Sequence, residues 1–261
     1  MELLGLFPEE IKEWLQSHGI PAFRGDQIFS WLHKHAVERF EQMTNVPGDV
    51  ILRLQEAFGT PWPLELAARR RSLDGTEKYL FALKDQTTIE TVYLPEEERQ
   101  TVCLSTQVGC AMNCSFCATG QSGYVRNLSA AEIVTQVLWL EHQLRAFGKS
   151  ITNVVYMGMG EPLANYGAVL RSAHLLNHPQ GRNLGARRLT ISTCGLVPQI
   201  RALANEELQV NLAVSLHAVT DADRSRIMPV NRRFPLQELL QACDSYTQQT
   251  NRRISYEYAL I

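Results

Sequence analysis

Along the first sixty residues, apolar positions recur at helical spacing between turn residues. Ile11, Trp14 and Leu15 share one face of a stretch that opens at Pro8, a residue preorganised for a first helical turn, and Gly19 supplies its C-terminal cap. Ile28, Phe29 and Leu32 make a second such face, and a third helix is expected from about Pro47 to Phe58. The three predict a small bundle buried on one side, with substrate docking as an additional role open to it. From Leu64 the period shortens to two. LELAARRRSL and EKYLFAL flank Asp74-Gly75, the pair favoured by a type I′ hairpin turn, and TIETVYLP gives a further strand that ends at Pro95. The acidic run Glu96 to Glu98 reads as a solvated loop.

Beyond residue 100 strands and helices alternate. Apolar strands are expected at 102–106, 151–157, 187–193, 209–216 and 253–261, with helical patterns near 129–147, 165–177, 196–205 and 235–249. Ser129 followed by Glu132 is a capping box that opens the first of these helices. Alternation of this kind predicts an α/β fold, a parallel sheet or barrel with helices outside and ligands at the carboxyl ends of the strands. The chain divides into a helical segment 1–62, a β-hairpin extension 63–100 and an α/β unit 101–261. Its last residue, Ile261, closes the fifth such strand with no covering helix after it. That is a poor finish for an apolar parallel strand, so a missing C-terminal part is expected.

Composition narrows the class. With 261 residues and 45% apolar content the chain has material for a sizeable core, which excludes disorder and coiled coil. No run of eighteen apolar residues exists, and the start, MELLGLFPEEIKEWL, carries acids where a signal peptide needs bases, so a soluble cytoplasmic protein without a membrane partner is expected. Six cysteines in such a chain point to metal or catalysis rather than a disulfide scaffold. A net charge of −2 argues against wholesale coating by nucleic acid. Twenty of the 25 basic residues are nonetheless Arg, and Arg187-Arg188, Arg232-Arg233 and Arg252-Arg253 form doublets, so an RNA partner stays open.

The chemistry concentrates in Cys110-Ala-Met-Asn-Cys114-Ser-Phe-Cys117, a C-x3-C-x2-C triplet after the first barrel strand. Three thiolates so spaced can hold three irons of a cubane iron-sulfur cluster and leave the fourth open. Zinc would want four closed ligands, for which Cys103 is the available fourth; unrelated buried thiols are the plain alternative. Fifty residues on, a strand ends in Met157-Gly158-Met159-Gly160-Glu161-Pro162, where glycines would admit a ligand close to the backbone and Glu161 could face a cation. Ser192 and the run Ser215-Leu216-His217 close the third and fourth barrel strands, offering hydroxyls and an imidazole at the same rim.

The triplet resembles the signature of the radical S-adenosylmethionine (SAM) enzymes. TVCLSTQVGCAMNCSFCATG, RNLSAAEI, VVYMGMGEPL, RRLTISTCG, LAVSLHA and RIMPVNRRFPL, together with the N-terminal FRGDQIFSWLHKH and MTNVP, narrow the resemblance to the RlmN/Cfr family of RNA adenine methyltransferases. It covers the whole chain and implies a partial (βα)6 barrel, of which this sequence holds five strands. It also implies a [4Fe-4S] cluster on Cys110, Cys114 and Cys117, with SAM on the open iron and against Gly160, Glu161, Ser192, Ser215, Leu216 and His217.

In that family SAM methylates a cysteine near the C-terminus, a second SAM yields the radical that activates the methyl group, and the resulting carbon radical adds to adenine. Carbon 2 of adenine lacks a nucleophilic lone pair, which is why a radical route is needed. By motif, Glu90 matches the proton acceptor and Cys103 the cysteine that resolves the RNA adduct through a disulfide. The resemblance implies 23S rRNA and tRNA as substrates, an electron donor such as flavodoxin, and a monomer. The alternatives are methylation at C8, a non-catalytic cluster- or RNA-binding remnant, and a zinc-stabilised module. The methyl-carrying cysteine and a SAM-binding asparagine are expected beyond Ile261, and neither Cys194 nor Cys243 matches the carrier motif, so methylation of RNA by these residues alone is not expected.

Overall fold

A computed structural model describes residues 2–260. The N-terminal helices form where the apolar faces place them: α1 Pro8–Ser17, α2 Arg24–Phe29 and α3 Gly48–Phe58. The Glu10 carboxylate accepts the Phe7 backbone N–H at 2.7 Å and so caps α1. α2 continues into one wide helical turn at Ser30–Lys34.

The hairpin follows as β1 Leu64–Arg71 and β2 Glu77–Leu83, antiparallel, with β3 Thr88–Pro95 next to β2. Its turn departs from the type I′ expectation. Residues 72–76 form a longer loop closed by Ser72 N–H to Thr76 O at 2.8 Å, and only Gly75 takes positive φ (86°), whereas a type I′ turn needs it at both central positions. Asp74 instead accepts the Thr76 backbone N–H and shapes the loop with its side chain.

The α/β unit comprises β4 Gln100–Cys103, β5 Gln107–Gly109, α4 Ala118–Gln121, β6 Tyr124–Asn127, α5 Ala130–Arg145, β7 Asn153–Tyr156, α6 Tyr166–Asn177, β8 Leu189–Thr193, α7 Val197–Leu203, β9 Asn211–Ser215, α8 Asp221–Ile227, α9 Leu236–Thr250 and β10 Ile254–Glu257. The capping box at α5 is present in both directions, Glu132 N–H to Ser129 Oγ at 3.1 Å and Ser129 N–H to the Glu132 carboxylate at 2.9 Å. The β5–β6 ribbon, α4 and α8 have too few apolar positions to show a period in the sequence. Of the expected strand 253–261, residues Ile254–Glu257 pair with β9, and Ile261 lies outside the described residues.

Eight strands make one sheet in the order β1-β2-β3-β4-β7-β8-β9-β10. β4 is antiparallel to β3 yet parallel to β7, so the hairpin prolongs the barrel sheet instead of forming its own layer. The remaining barrel pairs, β7–β8, β8–β9 and β9–β10, are parallel. Parallel strands require crossovers, and α5, α6, α7 and α9 supply them. Among the described residues the barrel is open, with β1 and β10 at the sheet's edges.

One contiguous apolar core runs from Leu4, Ile11 and Phe29 through Phe81, Ile133 and Val154 to Ile191 and Tyr246. The N-terminal helices therefore share their buried surface with the barrel. No described helix is long and apolar enough to cross a membrane.

Candidate functional site

The carboxyl ends of the barrel strands meet at an open cavity of about 230 Å³. Its wall takes Cys110, Cys114 and Cys117 from the loop between β5 and α4, Gly160 and Glu161 from the loop after β7, Ser192 and Cys194 from the end of β8, Ser215 and His217 from the end of β9, and Glu257 from β10. Eight of the eleven residues singled out in the sequence are on that wall. Leu216 lies beside it and contributes backbone: its N–H donates to Glu257 O at 2.9 Å and its carbonyl accepts from Arg224 at 3.1 Å.

Local chain geometry explains the cysteine loop. Gly109 turns at φ +75°, where an added Cβ would sit 1.9 Å from Gly123 O, so the β5–β6 ribbon can close only over glycine. Cys110 N–H then donates to Gly123 O at 2.8 Å, Cys117 N–H to Cys114 O at 3.1 Å, and Ser115 N–H to Ile227 O at 2.9 Å, which ties the loop to the end of α8. Phe116, between two of the cysteines, meets the His217 ring edge-on at 4.9 Å.

The glycines of the second loop also meet a constraint from the chain itself. Gly160 stands at φ +104°, and a Cβ there would lie 2.6 Å from Gln107 Cβ. The constraint comes from the neighbouring loop. Gln107 and Thr106 donate their N–H groups to Met159 O at 3.1 and 2.8 Å, and Glu161 N–H donates to Gln107 Oε1 at 2.8 Å, so the loops after β4 and β7 are stitched into one unit.

Glu161 is 4% exposed. Its two carboxylate oxygens accept separate backbone N–H groups, Leu163 at 3.0 Å and Cys194 at 2.8 Å. No basic side chain pairs with it among the described residues, and burial raises its pKa above the usual carboxylate range despite those hydrogen bonds. A charge buried there without a counter-ion is unfavourable.

Burial likewise raises Cys110, pushes Cys114 up to about 11, and holds Cys194 well above an ordinary thiol. The Cys194 thiol hydrogen-bonds Glu161, which keeps it protonated and sets it apart from the triplet. His217 is lowered, by burial first, and its Nδ1 accepts the Ala259 N–H at 3.0 Å.

Cys103 and Glu90 stand off the cavity. Cys103, half-buried on β4 opposite Val92 and Val155, hydrogen-bonds the Met157 backbone, and burial pushes its thiol up to about 11. Met157 does line the cavity, so Cys103 sits behind its rim. Glu90 is anchored by its backbone to the stitched loops, its N–H against Met159 Sδ at 3.3 Å and its carbonyl accepting from Ser105 Oγ, while its carboxylate pairs with Lys78 at 2.8 Å on the open face of the hairpin.

Two readings lose support. Cys103 is not grouped with the triplet, and no three His, Cys, Asp or Glu side chains among the described residues close on one point as a single ion requires, so a four-cysteine zinc site has no geometry here. The disulfide that the family's chemistry implies is not formed: all six cysteines are free thiols, and Cys103 pairs with none of the others.

Sequence reasoning missed Arg224, Glu257 and Met228. None belongs to a recognisable ligand motif; folding brings Glu257 and Met228 to the cavity and leaves Arg224 behind its wall. Glu257 lines it and accepts from Ser215 Oγ at 3.3 Å. Met228 packs with Cys114 and Cys194.

The radical SAM superfamily model matches residues 104–260, and the model for the N-terminal domain of ribosomal RNA large subunit methyltransferases matches residues 1–58. A probable dual-specificity RNA methyltransferase RlmN of Heliobacterium modesticaldum is 51% identical over the whole chain, which spans 69% of that relative, and the one of Desulfitobacterium hafniense is 44% identical, with 75% spanned. The crystal structure of a radical SAM methyltransferase from Sphaerobacter thermophilus superposes with a TM-score of 0.96 at 45% identity, covering 99% of this chain and 76% of that one. A match that takes in the helical segment, the hairpin and the barrel together leaves one assignment: the chain belongs to the RlmN family of radical SAM methyltransferases.

Proposed function

We propose that this chain is the catalytic scaffold of an RNA methyltransferase that places a methyl group on carbon 2 of adenine in 23S rRNA and in tRNA. The observation that carries the reading is one cavity wall shared by three thiols of a C-x3-C-x2-C loop and a buried, cation-free carboxylate. The donor set fits the family's cofactors. Cys110, Cys114 and Cys117 would hold a [4Fe-4S] cluster, and the buried carboxylate of Glu161 suits the ammonium of SAM. When bound, the cluster supplies the electron that cleaves SAM reductively.

The chain's own residues supply the rest. Ser192, Ser215, the Leu216 backbone and His217 bound the space left for the nucleoside part of SAM, and Phe116 shields His217 from one side. Glu90 accepts the adenine ring proton, held by Lys78 at 2.8 Å on the hairpin face next to the stitched loops. Cys103 waits as a neutral thiol behind Met157, which suits a residue that must attack only once an adduct has formed. The choice of carbon 2 over carbon 8 rests on the relatives, whose names are those of RlmN proteins. RNA reaches the rim from the solvent side, and an external one-electron donor is required.

Two measurements test this. Anaerobic reconstitution with iron and sulfide should load about four irons and four sulfides per chain. Mass spectrometry of nucleosides from cells with and without the gene should show 2-methyladenosine lost from both RNAs; loss of the 8-methyl isomer instead would transfer the assignment to carbon 8, and an unchanged spectrum would remove it.

A further inference from the structure

Arg224 is fully buried and meets no carboxylate. It lies on α8, whose first turn is capped by Thr220 Oγ1 accepting the Asp223 N–H at 3.1 Å. Its guanidinium donates from Nε to Leu216 O at 3.1 Å, from Nη1 to Asn231 Oδ1 at 2.9 Å, and from Nη2 to Cys194 O at 2.7 Å and Ser215 O at 3.0 Å. Every one of those acceptors is neutral. Asp221, the acid whose charge reaches Arg224, is held off by Asn231: its Oδ1 accepts from Asn231 Nδ2 at 2.9 Å and from Leu236 N–H at 2.8 Å, and no carboxylate oxygen pairs with Arg224 among the described residues.

A desolvated cation without an anion is strongly unfavourable, and neutral carbonyls compensate it only in part. The anion that would complete the arrangement belongs on the cavity side. Cys194, whose carbonyl Arg224 holds, packs with Cys114, and Ile227 on the same short helix accepts the N–H of Ser115 inside the cysteine loop. Burial lowers the guanidinium pKa, the direction expected of a cation held among neutral acceptors. The positive charge therefore stands directly behind the wall that carries the triplet.

We infer that Arg224 is a positioning residue that serves as the fixed counter-charge of a cluster on Cys110, Cys114 and Cys117, favouring its one-electron-reduced state while pinning the ends of β8 and β9 around it. The inference rests on the cluster site proposed above. Three thiolates more than cancel the charge of an oxidised cubane core, and one further electron makes the assembly more negative, so a nearby cation stabilises the reduced state more. Arg224 exchanges no proton in the step; the cluster gains one electron from the reductant.

The test is a potentiometric titration of the anaerobically reconstituted whole chain, with dithionite as reductant and without SAM or RNA, followed by the electron paramagnetic resonance of the reduced cluster. In an effective dielectric of ~20, a unit charge within ~10–15 Å of a redox centre changes its reduced-to-oxidised ratio by on the order of tenfold. Arg224→Gln should thus lower that ratio about tenfold at the wild-type midpoint, or ~59 mV for a one-electron couple. Arg224→Lys keeps the charge and loses part of the hydrogen-bond fork, so its melting temperature should fall while the ratio stays within about twofold of wild type.

A loaded Arg224→Gln protein with the wild-type midpoint overturns the inference. So does a tenfold drop in Arg224→Lys, which decides the matter alone if the Gln variant does not fold, and failure of both to fold would leave Arg224 a structural residue only and overturn it too. Wild type that takes up no iron overturns the cluster reading and the inference together, whereas wild type that loads normally beside a variant of unchanged potential overturns the inference alone.

Discussion

Replacing Glu161 by Gln isolates the charge of one buried group while nearly keeping its shape. In the wild type each carboxylate oxygen accepts one backbone N–H, Cys194 at 2.8 Å and Leu163 at 3.0 Å. Gln presents one oxygen and one NH2, so one of those N–H groups must face another donor, at about 1–3 kcal/mol for a buried unsatisfied group. Removal of an uncompensated buried charge offsets part of that loss in the ligand-free protein, and the melting temperature should move by only a few degrees. Ligand binding has no such offset. Losing the carboxylate that faces the SAM ammonium removes one partner of a desolvated charge pair, about 2–5 kcal/mol, which is about 30-fold to 5,000-fold in Kd.

Equilibrium dialysis of SAM against the reconstituted wild type and variant measures this directly. The same experiment repeated with pH has a defined sign. Burial raises the Glu161 pKa, so this group contributes stability that is present below its unfolded value and lost as pH rises through the folded one, and only the ionised form attracts an ammonium. SAM affinity of the wild type should therefore weaken on acidification, beginning above the ordinary glutamate range, and the variant should lack that slope. A variant that binds SAM within threefold of wild type at neutral pH would refute the assignment of Glu161 as the ammonium receptor.

Three further outcomes follow from single sites. Glu90→Gln should lower adenine methylation about 100-fold or more, as removal of a general base does, while leaving the melting temperature in place because the Lys78 pair is exposed; nucleoside mass spectrometry from cells complemented with the full-length gene checks it, and full methylation would exclude Glu90 as the base. Gly160→Ala places a Cβ 2.6 Å from Gln107 at a φ of +104°, and should destabilise the fold by about 2 kcal/mol or more, seen as a clear fall in melting temperature with loss of SAM binding. His33 is buried, and burial lowers its pKa to about 3, so the unfolded chain binds the extra proton below pH 6.5 and wild type loses roughly 1.5 kcal/mol between pH 6.5 and pH 5. His33→Leu should flatten that part of the pH–stability curve in urea unfolding; an unchanged slope would place its origin elsewhere.

How far the sequence was legible depended on whether a signal was local. The helices at Pro8, Arg24 and Gly48, and β3 at Thr88–Pro95, coincide with their apolar periods because the residues that define them also bury them. The barrel strands were found but each proved shorter than its apolar run, since end residues such as Met157 and Leu216 leave the ladder to face the cavity or to meet Arg224. The type I′ turn failed because the Asp74 side chain hydrogen-bonds the loop into a longer form, a competition the residue pair alone does not reveal. At Gly160 the sequence shows the glycine but not its neighbour Gln107, about fifty residues away, against which a Cβ would clash.

By itself, then, the sequence determined the α/β alternation, the cysteine triplet and most of the rim residues, because periodicity, capping and ligand spacing are written in neighbouring positions. Tertiary structure decided which of these share a wall. It showed that Glu161 is buried without a cation, that Cys103 and Glu90 stand behind and beside the cavity instead of in it, and that Arg224 is an unpaired charge at its back. Burial and pairing are properties of three-dimensional neighbours, and the electrostatics on which this site depends follow from them rather than from residue identity.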